Sequence, residues 1–241
     1  MKYVLIIGAK NELALELASL YAKNNYNVYL AGRSVNDLEE ESNNIEQKYK
    51  VKSVLCELDV TDFSSHEKFY ESLEIKPTGV IYLAGYYPDT ISSISKWSES
   101  LKTIEINYLG CVSILNIVAN QFINDRRGFI IAISSVSGIR GRAKNYIYGS
   151  SKAGLIAYMS GLRNRLDKYN INVLTVIPGF LSSSKNQKKN YPRFLVTTSK
   201  KMAHNIFSAQ QNNKSVISVS YTHLRAHETR EDRVCRLLLE K

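Results

Sequence analysis

Two residues four apart, Tyr148 and Lys152, follow Ser135 at thirteen and seventeen positions. On a helix, residues i and i+4 share a face, so both side chains point the same way. An ammonium held beside a phenol favours phenolate and is expected to lower the tyrosine's pKa. Such a phenol can give or take the proton when a ketone and an alcohol interconvert. A serine hydroxyl can hydrogen-bond the oxygen whose charge changes. Among the 16 tyrosines, only Tyr148 has a lysine four positions on. A single spacing of this kind arises about once by chance in such a composition, so its meaning depends on the surrounding elements.

Strand and helix patterns must position these groups. Residues 2–7 form an apolar run of the kind buried on both faces of a parallel sheet. Gly8-Ala9-Lys10-Asn11 supplies a turn, and 12–24 has helical spacing through Leu13, Leu15, Leu17, Ala18 and Tyr21. The pattern then predicts strands at 27–31, 52–58, 79–83, 128–134 and 172–177, with another beginning at 214. It predicts helices at 35–49, 63–73, about 96–123, 146–168 and 198–211. Strands alternating with helices imply an α/β fold. The expected form is a single Rossmann-type doubly wound parallel sheet of about seven strands, in a three-layer α/β/α arrangement. Ligands bind such sheets beyond the carboxyl ends of the strands. Ser135 follows the fifth strand, and Tyr148 and Lys152 lie on the next helix.

A chain of 241 residues can form one large domain of this kind. Apolar residues make up 44% and charged residues 22%, ordinary for a globular protein. No apolar run reaches the length that spans a bilayer, and the N-terminus enters a strand without a signal-peptide pattern. No transmembrane segment is expected, and the cytoplasm is the expected location. The net charge of +10 is spread out rather than gathered into an aromatic-basic motif, so no nucleic-acid partner is expected. Cys56, Cys111 and Cys235 have no metal or redox spacing and read as buried or free thiols, with no metal site.

Residues 219–241 break in character. They show no clear strand pattern and no Gly or Pro. The stretch 218–229 resembles the translation of a transposase adapter used in building sequencing libraries, and the remainder resembles vector or index read-through. The expected division is a domain over 1–218 and a non-native tail over 219–241. His223, His227 and Cys235 are therefore not read as metal ligands.

With strand, turn, helix, Ser135, Tyr148 and Lys152 in place, residues 1–218 resemble the short-chain dehydrogenase/reductase family. They are most similar to bacterial members encoded among surface-polysaccharide genes. The shared phrases are Ser134-Ser135-Val136-Ser137-Gly138, Tyr146-Ile147-Tyr148-Gly149 and Gly161-Leu162-Arg163-Asn164-Arg165-Leu166. The resemblance implies that Ser135, Tyr148 and Lys152 are catalytic. It adds Asn107 as a helix residue that positions a water in a proton relay to the lysine. It implies cofactor contacts at Gly8, Lys10, Asn11 and Leu13 around the first turn, and at Asp59 and Val60 after the third strand. Further contacts are implied at Ala84 and Gly85 after the fourth strand, at Tyr148 and Lys152, and at Pro178, Gly179 and Ser183 after the sixth. A small-molecule substrate is implied, together with a homodimer or homotetramer paired through helices 96–123 and 146–168.

Two departures from the family pattern stand out. Where three glycines usually occur, this chain has Gly8, Glu12 and Ala14, and a carboxylate near a pyrophosphate repels it unless it points away. Where the family often has Asn-Asn-Ala-Gly, the chain reads Tyr82-Leu83-Ala84-Gly85. The helix N-terminus still offers backbone N–H groups to a phosphate. At the end of the second strand, the acid that would select the unphosphorylated cofactor is replaced by Gly32 and then Arg33. A guanidinium suits a 2′-phosphate, and Lys10 can assist it, so NADP(H) is expected over NAD(H).

The segment 182–201 is expected to border the substrate pocket. Its basic run of Lys185, Lys188, Lys189, Arg193, Lys200 and Lys201, with Arg140 and Arg142 nearby, points to an anionic substrate. The expected activity is an NADP(H)-dependent interconversion of a ketone and a secondary alcohol on a sugar- or lipid-linked substrate. The alternative is a non-catalytic NADP(H)-binding sensor or scaffold. Glu12 in the first turn and the missing asparagines before Ala84 favour it, and the set Ser135, Tyr148, Lys152 and Asn107 opposes it, since pure binding needs no proton donor.

Overall fold

The apolar run at the N-terminus feeds two cores at once. In β1 (Tyr3–Ile7), Tyr3, Leu5 and Ile7 face one apolar cluster and Val4 and Ile6 face the other, all five being buried. The computed structural model of the chain describes residues 1–182 and 196–218. After β1 come α1 (Glu12–Lys23), β2 (Asn27–Gly32), α2 (Glu39–Tyr49), β3 (Ser53–Glu57), α3 (His66–Ser72) and β4 (Gly79–Tyr82). The middle of the chain holds α4 (Thr90–Ser95), α5 (Trp97–Ile104), α6 (Gly110–Asp125), β5 (Phe129–Ile133) and α7 (Tyr146–Leu166). Then follow β6 (Asn172–Ile177), β7 (Phe180–Ser182), β8 (Val196–Thr198), α8 (Ser199–Gln211) and β9 (Val216–Ser218).

Seven strands pair in the order β3-β2-β1-β4-β5-β6-β9, and every pairing is parallel. The chain winds outward from β1 to β3, then returns to build β4 onwards on the other side. That reversal opens a crevice between the carboxyl ends of β1 and β4. On one face, α3, α6 and α7 supply Tyr70, Ile114, Val118, Phe122, Leu155 and Met159 to the core. On the other, α1, α2 and α8 supply Leu13, Leu17, Ile45, Met202 and Ile206, with Leu38 from the 3-10 turn before α2. Each such buried aliphatic side chain contributes about 1.5–3 kcal/mol relative to exposure. The expected three-layer α/β/α sheet is what the chain forms.

Several boundaries differ from the sequence pattern, for local reasons. The helix expected over 96–123 is interrupted by a π turn at Glu105–Leu109. The Tyr82 hydroxyl, buried in the sheet, donates to the Ile106 carbonyl at 2.7 Å there, taking an acceptor out of the helical ladder. The helices expected at 35–49 and 63–73 each begin with a 3-10 turn, Val35–Leu38 and Phe63–Ser65. The short α4, capped by Asp89 accepting from the Ser92 N–H at 2.9 Å, was not in the pattern, nor was the two-stranded sheet of β7 and β8. The run Trp97–Asp125 is long and apolar enough to cross a membrane by length and composition, but half of its apolar window is buried within the fold. The tail 219–241 lies outside the described residues.

Candidate active site

Four segments converge beyond the carboxyl ends of β1, β4, β5 and β6. Gly8 makes the first turn at φ 92, and its N–H and that of Ala9 both donate to the Ala31 carbonyl, at 2.8 and 3.1 Å. A Cβ on Gly8 would lie 2.5 Å from the Ala84 nitrogen, so the backbones after β1 and β4 pass in near contact. A cleft of about 1020 Å³ opens along this seam, at the upper end of the ~300–1,000 Å³ typical of small-molecule sites. Among the expected cofactor residues, Gly8, Lys10, Asn11, Arg33, Asp59, Val60, Ala84 and Gly85 line it.

Leu13 does not. Its side chain is buried in the stripe that packs α1 on the sheet, and its N–H donates to the Asn11 side chain at 2.9 Å. The 3.6-residue periodicity of α1 places Leu13 inward with Leu17, leaving Glu12 and Leu15 as the α1 residues that line the cleft. Pro178 and Gly179 are not on the lining either; the Pro178 carbonyl accepts from the Val136 N–H at 3.1 Å and ties the turn after β6 to the loop after β5. Ser183, with Lys185, Lys188, Lys189 and Arg193, lies outside the described residues.

The catalytic candidates gather at one point. Ser135 leaves β5 in extended backbone, φ −164 and ψ 153; its hydroxyl oxygen accepts from the Ser137 N–H at 3.1 Å, and its nearness lowers the pKa of the Tyr148 phenol. The Lys152 ammonium lies 5.8 Å from the Tyr148 ring centroid and donates to the Ile133 carbonyl at 3.0 Å. The Ser134 hydroxyl donates to the Lys152 carbonyl at 2.9 Å, docking α7 against the end of β5. Asn107 is fully buried in the π turn. Its side chain grips the backbone of Tyr86 twice, accepting from the N–H at 3.0 Å and donating to the carbonyl at 2.7 Å. A methyl placed on Gly85 would meet Asn107 Oδ1 at 3.2 Å and Lys152 Nζ at 3.9 Å. Asn107 and Lys152 thus meet beside Gly85, with Tyr148 one helical turn before Lys152 on α7 and Ser135 at the end of β5.

The protonation levels differ from the sequence expectation in one respect. Burial pushes the Tyr148 phenol up to about 12, with the nearby Ser135 hydroxyl pulling it down by less and Tyr87 adding to the rise. The anticipated lowering by Lys152 is not found: burial, Ser135 and Tyr87 set the phenol's level, because burial penalises the phenolate. Burial also brings Lys152 down from 10.5 to about 8, against a smaller opposing influence of Cys111. At neutral pH the tyrosine therefore carries its proton, with a cationic lysine 5.8 Å from its ring.

The cofactor end of the cleft holds acids that the sequence did not flag. Arg33 faces Asp59 at 3.9 Å, and Lys10 pairs with Asp37. Burial alone would raise the Asp59 carboxyl, but the Thr61 N–H and hydroxyl, Arg33 and His66 together hold it below its usual range. Glu57, at the end of β3, accepts from the N–H groups of Ser34 and Val35 at 2.7 and 3.2 Å. For the 2′-phosphate, the sequence pointed only to the cations Arg33 and Lys10; the structure adds the acids that meet them and the turn. Glu57 and Asp37 belong to no motif, and their only signal was an acid at a strand or helix terminus. Tyr87 was also missed. It meets the Tyr148 ring edge to face, with centroids 4.7 Å apart.

Residues 2–193 match the family described as short chain dehydrogenase. An uncharacterized oxidoreductase of Mycobacterium tuberculosis is 29% identical over 221 residues, covering 90% of this chain and 88% of the relative. One from Myxococcus xanthus is 30% identical over 198 residues, covering 80% and 78%. A solved short-chain dehydrogenase from Sphingobium yanoikuyae in complex with NADPH superposes with a TM-score of 0.82 at 18% identity, covering 100% of this chain and 96% of that one.

Proposed function

The chain belongs to the short chain dehydrogenase family, and we propose that it is an NADP(H)-dependent oxidoreductase interconverting a ketone and a secondary alcohol. The observation that carries this reading is the Tyr148 phenol beside the Ser135 hydroxyl, with the Lys152 ammonium 5.8 Å from its ring. A cleft that only bound a dinucleotide would need no proton donor at that place.

The cleft fits a nicotinamide dinucleotide on its own features. Its first turn is closed by a glycine at positive φ, and its wall after β4 is the small pair Ala84-Gly85, so an extended ligand can lie against bare backbone. Gly8 and Asn11 border the place for the pyrophosphate, Asp59 and Val60 the adenine, and Arg33 and Lys10 a 2′-phosphate. When bound, the nicotinamide supplies or accepts the hydride. The chain's own residues do the rest. Tyr148 Oη gives its proton to the substrate oxygen in the reducing direction, and Ser135 Oγ hydrogen-bonds that oxygen as charge builds on it. Lys152, cationic at neutral pH, favours the transient phenolate. Asn107 holds the Tyr86 backbone so that Gly85 stays out of the space beside Lys152.

The basic run after β7, with Arg140 and Arg142 on the loop following Ser135, supports an anionic substrate, such as a phosphate-linked keto-sugar. Pairing of two or four copies through α6 and α7 is part of the same reading. The test is a panel of neutral and phosphorylated ketones with NADPH, run on the wild type and Tyr148→Phe. The variant should bind NADPH with unchanged affinity and lose about 10²–10⁴-fold in turnover. Turnover at the wild-type level in the variant would reject the assignment.

A further inference from the structure

The turn after β2 already contains an anion. Ser34 stands in the left-handed region at φ 52, and two successive N–H groups, of Ser34 and Val35, turn toward a single carboxylate. Neighbouring backbone N–H groups in such a turn make a small concavity suited to an anion. Glu57 fills it, because the parallel register of β2 and β3 sets Glu57 opposite Gly32, immediately before Arg33. The neighbouring cations are also matched, Arg33 by Asp59 and Lys10 by Asp37. Lys10, Arg33, Asp59 and Glu41 line this end of the cleft, and Asp37 and Glu57 lie off its lining, on Lys10 and on the N–H groups of Ser34 and Val35.

That balance bears on which dinucleotide the cleft prefers. A 2′-phosphate adds nearly two negative charges beside Arg33, where the best-aligned backbone donors are already taken by a negative group. A 2′-hydroxyl adds no charge and can donate a hydrogen bond to a carboxylate. We propose that Glu57 is a specificity-determining residue bordering the cofactor cleft: its carboxylate, held on the N–H groups of the turn that follows Arg33, lowers the preference for NADP(H) over NAD(H). The inference rests on reading the cleft as a nicotinamide-dinucleotide site. It adds that Arg33 alone does not set the selectivity.

The experiment titrates NADPH and NADH separately, by their fluorescence, into the wild type, Glu57→Gln and Glu57→Ser at low and moderate salt. Both substitutions remove the charge and keep a group that can accept from the turn. The ratio is read on whichever variant melts with the wild type. The affinity ratio of NADPH to NADH should rise about tenfold in the variant, equivalent to ~1.4 kcal/mol of relieved repulsion, and the rise should shrink as salt screens the charges. A residue that merely shaped the turn would weaken both dinucleotides together and leave the ratio alone. An unchanged or falling ratio in a folded variant overturns the proposal while leaving the cofactor reading intact. Failure of both dinucleotides to bind the wild type overturns the cofactor reading and the proposal with it.

Discussion

Replacing Lys152 with methionine should make the protein more stable while removing the proposed ketone reduction. Burial lowers the lysine from 10.5 to about 8, and each pKa step of one corresponds to ~1.4 kcal/mol, so keeping the ammonium inside costs ~3 kcal/mol at neutral pH. Methionine fills a similar volume without a charge. It leaves the Ile133 carbonyl without its 3.0 Å donor, which offsets ~1 kcal/mol. The variant should therefore gain ~2 kcal/mol at pH 7. The pH dependence has a definite sign. With its pKa lowered in the fold, Lys152 binds fewer protons in the folded than in the unfolded chain between about 8 and 10.5. Stability contributed by this group thus rises with pH across that window, and its full cost is present below it. Urea denaturation of both proteins at pH 7, 9 and 10.5 measures the gap, which should be widest at pH 7 and close as the pH rises. A variant less stable at pH 7, or a gap that does not vary with pH, would refute the claim that the ammonium is held at a cost to the fold.

Two other substitutions test the scaffold of the site. Gly8→Ala puts a methyl 2.5 Å from the Ala84 nitrogen at a backbone φ of 92. It should lower stability by ~2 kcal/mol or more and weaken dinucleotide binding, as read by thermal melting with and without NADPH. Asn107→Ala removes both hydrogen bonds to the Tyr86 backbone. It should cost ~2–3 kcal/mol, because buried peptide groups lose their partners, and reduce turnover more than NADPH affinity. An Asn107→Ala protein with wild-type melting would show that the Tyr86 loop is held by other contacts.

Most of the architecture could be read from local pattern. The alternation of Tyr3, Leu5 and Ile7 with Val4 and Ile6 marks a strand buried on both sides, and the spacing of Leu13, Leu17 and Tyr21 marks a helix that packs on it. That same spacing argued against Leu13 as a cofactor contact, since a residue on the buried stripe cannot also face the cleft. The break in the long helix left no trace in its periodicity. It depends on the Tyr82 hydroxyl reaching the Ile106 carbonyl, a contact between residues 24 positions apart in the chain. The positions of Ser135, Tyr148 and Lys152 were legible because helix geometry fixes the last two and the end of β5 fixes the first. Their acid strengths were not.

What the amino-acid order determined by itself is the sequence of strands and helices, the parallel sheet they must build and the trio of side chains at its carboxyl edge. These follow from hydrophobic periodicity and from spacing within single elements, which act over a few residues. The tertiary structure alone decided how the charges meet: Glu57 on the N–H groups of Ser34 and Val35, Asp59 opposite Arg33, and Lys152 enclosed beside Tyr148. Electrostatic energies depend on distance through space and on exclusion of water. Both are set by strand register and helix packing between segments far apart in the chain, so no local pattern encodes them.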